Sequence, residues 1–188
     1  MKNYKWDIMP NVYEGDDIQK RFILGLSGNN PLVCFGINPS TANNQYADKT
    51  LHMVEKTAKI HGYDGWLMLN IYPQRSTNPN GLNKIKNEEW HKQNLSYITT
   101  VLQQGNLDIW AAWGEPITKR PFFIECLYDI NLLVNKYSCH WIAFGIKDGE
   151  TIKCITKYGH PRHPSRLPLA IQSNNYEISH YFKEKMAI

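Results

Sequence analysis

The stretch Leu32-Val33-Cys34-Phe35-Gly36-Ile37, running into Asn38-Pro39-Ser40-Thr41-Ala42, decides the fold. Six residues without a charged or amide side chain, bounded by Asn29-Asn30-Pro31 and by a polar turn, read as a short strand buried on both faces. Such strands belong to sheets whose crossovers lay helices over both sides. A helix should therefore follow, and Lys49 to His61 carries Leu51, Val54 and Ala58 at helical spacing with Gly62 as a stop. Gly65-Trp66-Leu67-Met68-Leu69-Asn70 repeats the buried-strand pattern, and its exit from Ile71 to Gly81 is rich in Pro, Asn and Ser.

The alternation continues outward. Residues 87–104 read as a helix with Trp90, Ile98, Val101 and Leu102 inward. Leu107 to Trp113 reads as a strand ended by Gly114-Glu115-Pro116. Pro121 can open a helix reaching about Val134. Cys139 to Phe144 and Thr151 to Ile155 read as strands, and Tyr176 to Met186 as a closing helix. Toward the N-terminus, Lys20 to Leu26 reads as a strand, with Tyr4 to Ile8 expected beside it. The pattern predicts an α/β fold, a three-layer α/β/α arrangement with a mostly parallel central sheet and an N-terminal strand extension. A single domain is expected over residues 1–188, with the extension at 1–31, the core at 32–168 and the C-terminal helix at 169–188.

Composition agrees with one globular domain. The chain has 188 residues, 42% of them hydrophobic and 20% charged, enough for one buried core and short for two. No apolar run approaches the ~20 residues that span a bilayer, so no membrane is expected. The first residues lack a secretory apolar region, and the cytoplasm is the expected compartment. Cys34, Cys126, Cys139 and Cys154 are far apart and mostly in apolar runs, which fits buried free thiols. His160 and His163 are the only closely spaced His pair, so neither a metal nor another cofactor is expected. The net charge is only +4, but residues 151–168 hold Lys153, Lys157, Arg162 and Arg166 with no acid. A solvated loop reads the same way.

In an open α/β sheet, ligands bind beyond the C-terminal ends of the strands. The exits here are Gly36-Ile37-Asn38-Pro39-Ser40, Asn70-Ile71-Tyr72, Trp113-Gly114-Glu115 and the later loop His160-Pro161-Arg162-His163-Pro164-Ser165. Each also has a plain structural reading. Asn38 to Thr41 suits a βα turn. Asn70 suits a strand end that satisfies backbone groups. Trp113-Gly114 suits core packing and a turn, and the His-Pro-Ser segment suits a rigid surface excursion. Asp48 precedes Leu51 and Val54 and suits a helix N-cap. Arg75 suits a phosphate or a surface ion pair equally.

Together the exits resemble the uracil-DNA glycosylase superfamily. Gly36-Ile37-Asn38-Pro39 is similar to its first motif in the mismatch-specific branch. Gly65 to Asn70 is similar to the strand carrying the base-reading Asn of the uracil-specific branch. Ala112-Trp113-Gly114 resembles the third core strand, and His163-Pro164-Ser165-Arg166-Leu167 resembles the His-Pro-Ser-x-Leu loop. At closer range the chain resembles a bacterial and phage family known as a domain of unknown function. Its pattern here is Gly36 to Ala42, Asp48-Lys49-Thr50, Asn70 with Arg75, Ala112-Trp113-Gly114 and Gly159 to Pro164.

The wider resemblance implies a nucleobase- or nucleotide-acting enzyme, an N-glycosidase on DNA or on a modified nucleotide, with nucleic acid or a nucleotide as partner and DNA foremost. Asn38 and His163 would be catalytic, Asn38 holding water and His163 hydrogen-bonding the departing base. Asn70 would read the base edge, with Tyr46 and Tyr72 stacking on it. Ser40, Arg75, Arg162, Ser165 and Arg166 would meet phosphates, and Leu167 would wedge into the stack. Pro39, Asp48, Trp113 and Gly114 would complete the pocket. The uracil-specific branch has an Asp base where this chain has Asn38, and Asn cannot take a proton. The alternatives are a non-catalytic nucleic-acid or nucleotide-binding module and an unrelated α/β protein sharing only the architecture.

Overall fold

Four strands form the parallel centre of the sheet, in the computed structural model, which describes residues 4–16, 18–43, 45–169 and 171–186. These are β3 (Pro31–Gly36), β4 (Gly65–Asn70), β5 (Asp108–Ala111) and β6 (His140–Asp148). β3 pairs with β4 on one side and β5 on the other, and β5 pairs with β6, all in parallel. Helix α1 (Lys49–Ile60) links β3 to β4, α2 (Glu88–Leu102) links β4 to β5, and α3 (Phe122–Lys136) links β5 to β6. The edges are antiparallel: β1 (Val12–Gly15) and β2 (Arg21–Leu26) beside β4, then β7 (Thr151–Lys153) and β8 (Gln172–Asn175) on β6. Helix α4 (Ile178–Met186) follows. The sheet is thus parallel at its centre and antiparallel at both margins.

The period-2 alternation of the central strands explains the layering. Leu32, Cys34, Trp66, Met68, Trp110, Ile142 and Phe144 cluster with Leu51, Val54 and Ala58 of α1. Their neighbours Val33, Phe35, Leu67, Leu69, Ile109 and Ala111 cluster with side chains of α2, α3 and α4. Right-handed crossovers require this division. The chain steps from β3 to β4 in one direction across the sheet, then back past β3 to β5, so the helices fall on opposite faces. The reversal opens a crevice at the C-terminal ends of β3 and β5.

Two elements differ from the sequence reading. The partner of β2 is Val12–Gly15 rather than Tyr4 to Ile8. Asp16 Oδ1 accepts the backbone N–H groups of Ile18 and Lys20 and closes a tight hairpin, and a short loop loses little closure entropy. Tyr4 instead bridges Ala47, and Trp6 stacks on Trp66 on the α1 side. β8 (Gln-Ser-Asn-Asn) is wholly exposed and carries no apolar signal. The four cysteines are free and buried. Among the described residues no helix is long and apolar enough to cross a membrane.

Candidate functional site

A cavity of about 200 Å³ occupies the crevice on the α1 face. It draws Gly36, Ile37 and Asn38 from the exit of β3, Met68 from β4, Trp113 from the exit of β5, and Asp48 and Leu51 from α1. His163 closes it from the late loop, and Arg21 reaches it from the start of β2. Residues more than 140 positions apart in the chain therefore meet where the topology alone directs a ligand.

Asn70 does not itself line the cavity; it lies beneath the floor, next to Gly36. Asn70 is 0% exposed, and neither its Oδ1 nor its Nδ2 has a hydrogen-bond partner. Its backbone carbonyl is satisfied by Asn94 Nδ2 at 2.9 Å, so only the side chain is left wanting. Asn70 pairs with Gly36 across the β3–β4 ladder. A Cβ at Gly36 would lie 3.3 Å from Asn70 Oδ1 and 2.6 Å from the Met68 methyl. The bare Gly36 thus leaves an opening in the floor beside the amide, shared only by the end of a flexible thioether. Buried side-chain polar atoms are nearly always paired, and among the described residues Asn70 is the side chain with both of its polar atoms orphaned, just beneath the Gly36 and Met68 floor.

His163 stands in the wall. Its Nδ1 accepts from Ser165 N at 3.3 Å and lies 2.9 Å from Ser165 Oγ. Nδ1 is therefore the acceptor nitrogen, and the neutral ring carries its proton on Nε2. Burial pushes the imidazole down to about 4, with Arg166 reinforcing the fall and Asp48 opposing it, so at neutral pH the ring is an uncharged donor. Gly114, at φ +62°, permits this approach: a Cβ there would sit 3.2 Å from His163 Cβ.

Asp48 is the N-cap of α1, its Oδ1 accepting from Leu51 N at 2.9 Å. Its Oδ2 accepts from Ser40 Oγ at 2.5 Å. The carboxylate that the β3 motif lacks at Asn38 thus enters the cavity from the helix. Asn38 uses its amide nitrogen locally, donating to Ser76 O at 2.9 Å and Pro39 O at 3.0 Å. Those bonds fasten the β3 exit to the β4 exit and leave Oδ1 as the end able to accept.

Other expected residues lie elsewhere. Tyr72 is fully buried on the opposite face, packed on Phe122 and Phe123, with its hydroxyl accepting from Asn87 N. Tyr46 is 50% exposed and does not line the cavity. Neither stacks on anything at this site. Leu167 is buried in the α1-side cluster rather than projecting as a wedge, because the 3-10 turn Pro164–Arg166 packs on α1. Pro39 is buried at the β3 exit, where its carbonyl also accepts from Ser76 N. Arg162, Ser165 and Arg166 line a wider outer groove with Lys119 and Lys157, which meets the cavity at His163 and Thr77. Arg75 does not line the cavity and shares the Ala42 carbonyl with Arg21. Arg21 is not singled out by sequence reasoning; it follows Lys20 at the start of the strand read over Lys20 to Leu26.

A family model described as a protein of unknown function (DUF1643) matches residues 21–165. No curated protein and no solved structure matches the chain.

Proposed function

The chain belongs to the DUF1643 family of proteins of unknown function, and from that premise we propose that it acts on a nucleobase or nucleotide, as an N-glycosidase on DNA or on a modified nucleotide. The observation that carries this reading is the fully buried Asn70 amide, orphaned at both ends beneath Gly36 and Met68, which line the same cavity as His163. A planar amide offering one donor side and one acceptor matches the edge of a nucleobase. The ligand would turn the Met68 methyl aside and take its place over Gly36.

Breaking an N-glycosidic bond leaves positive charge on the sugar and an electron pair on the departing base. In this reading the His163 Nε2–H donates to a base oxygen as that charge grows, an oxyanion role that a neutral imidazole fills. Asn38 Oδ1 accepts from the water whose oxygen bonds to the sugar carbon. Asp48 is the acidic group of the cavity able to take that water's proton. The outer groove, with Lys119, Lys157, Arg162 and Arg166, suits flanking phosphates. The same proposal extends to the fold, a three-layer α/β/α sandwich like that of the uracil-DNA glycosylase superfamily. Support for it comes from the parallel β4-β3-β5-β6 core, with α1 on one side and α2 and α3 on the other.

The test is base release. The protein is incubated with oligonucleotides carrying uracil, deaminated purines or hypermodified pyrimidines, and with the matching free nucleotides, and freed bases are read by mass spectrometry. Release that is lost in both Asn38→Ala and His163→Ala is expected. A second reading, a binding module without catalysis, is favoured by the structural use of the Asn38 amide. Binding that falls steeply with salt, without base release, would select it.

A further inference from the structure

The cavity contains a charge that the base-reading account leaves unused. Arg21 is only 2% exposed. Its Nη1 donates to the Ala42 carbonyl at 2.6 Å, and its Nε has no partner. Arg75 Nη2 donates to the same carbonyl at 3.3 Å, and its Nη1 to Tyr13 Oη at 3.3 Å. Among the described residues, no carboxylate comes within 4.0 Å of either guanidinium. Asp48 is the acid whose field reaches Arg21, but it makes no ion pair with it and instead accepts from Ser40 and from the N-terminus of α1. Burial first, then the like charge of Arg75, push Arg21 down to about 10. It is still a cation at neutral pH.

A buried guanidinium without an ion-pair partner is costly unless an anion completes it. One carbonyl shared by two guanidiniums leaves the Arg21 Nε–H without an acceptor, a donor that a phosphate oxygen can take. Position adds to this. The sheet order runs β2-β4-β3-β5, so Arg21 on β2 and Gly114, which follows β5 and approaches His163, are separated by β4 and β3 with the cavity residues Met68 and Gly36.

We propose that the Arg21 end of the cavity, backed by Arg75, is a subsite for a terminal phosphate monoester, and that the natural ligand is therefore a mononucleotide rather than a position within a nucleic-acid strand. The nucleotide identity rests on the base-reading function above; the anion subsite does not. A phosphomonoester near neutral pH approaches two negative charges, matching the two guanidiniums. A phosphodiester must continue from the subsite on both sides, and a buried Arg21 leaves no room for that. Strand phosphates are met by exposed cations such as Arg166 in the outer groove instead.

Calorimetric titration of the full chain separates these possibilities, with inorganic phosphate, nucleosides, their 5′-monophosphates and an unphosphorylated single-stranded oligonucleotide as probes. Inorganic phosphate is expected to bind, and one monophosphate to bind at least about tenfold tighter than its nucleoside, a charge-assisted gain. Arg21→Met should abolish both effects, and Arg75→Gln should weaken both. Without ligand, Arg21→Met should melt no lower than the parent, since it removes a buried charge that has no ion-pair partner. If inorganic phosphate binding depends on Arg21 but no nucleoside or nucleotide binds, the subsite stands and the nucleotide reading falls. No phosphate or monophosphate binding overturns the subsite. So does a preference that survives Arg21→Met, or one lost only on Arg166→Gln.

Discussion

Replacing Asn70 with Leu should make the empty protein more stable while removing its ability to hold a base. The two side chains are close in size and shape, so the change converts two buried polar atoms into methyl groups with little repacking. Asn70 is 0% exposed and both amide atoms are unpartnered. Leaving a buried polar group unsatisfied costs about 1–3 kcal/mol. The backbone bond from Asn94 survives the substitution. The net gain expected is about 1–3 kcal/mol, which for a domain of this size raises the melting midpoint by roughly 3–10 °C. Urea denaturation of parent and variant without ligand measures it, and base release or base binding measures the loss. A variant that unfolds more than about 1 kcal/mol more easily than the parent would refute the reasoning, because the amide would then be supporting the fold rather than awaiting a ligand.

Two further outcomes follow from the same geometry. Gly36→Ala should fold, since the atom nearest its new Cβ is the mobile Met68 methyl at 2.6 Å. It should lose base binding by about tenfold or more, because the methyl fills the opening beside Asn70; retained binding, measured by titration, would count against that opening. The second outcome concerns pH. The native His163 imidazole is pushed down to about 4, below the ordinary 6.5, so the unfolded chain takes up a proton at a pH where the native protein does not. This stabilising contribution is complete above about 6.5 and is lost as the pH falls toward 4. The gap corresponds to at most about 3 kcal/mol, which water at the partly open cavity wall reduces to about 1–2 kcal/mol. Denaturation of His163→Gln across that range should show a shallower loss than the parent, with burial of His160 accounting for some of the slope that persists.

The sequence made the central strands and helices legible because burial on both faces imposes long apolar runs. β4 begins and ends where the run Gly65 to Asn70 does. β8 was illegible for the converse reason: an exposed edge strand is held by backbone bonds to β6, and its Gln-Ser-Asn-Asn composition records nothing of them. Asn70 and His163 could be chosen from their places at strand exits and in a Pro-rich loop. Tyr72 misled because strand alternation would put it on the same face as Asn70. The strand ends at Asn70, however. The N–H groups of Ile71 and Tyr72 then bond to Gly36 and Ile37 carbonyls, and both side chains enter the opposite core. Arg21 was unreadable because its significance lies in being buried without an ion-pair partner, which only three-dimensional surroundings reveal. Asp48 was legible as a helix cap. Its second role depends on α1 aiming its first turn across the β3 exit.

The central claim, that the Asn70 amide is the base-reading group, is tested most directly by following the ¹⁵N–¹H signals of the Asn70 side chain while free pyrimidines and purines are added in turn. The account expects one base to shift both amide protons saturably, and expects the shift to vanish in Gly36→Ala. Amide signals that no base or nucleotide moves, in a protein that still binds one of them elsewhere, would contradict it.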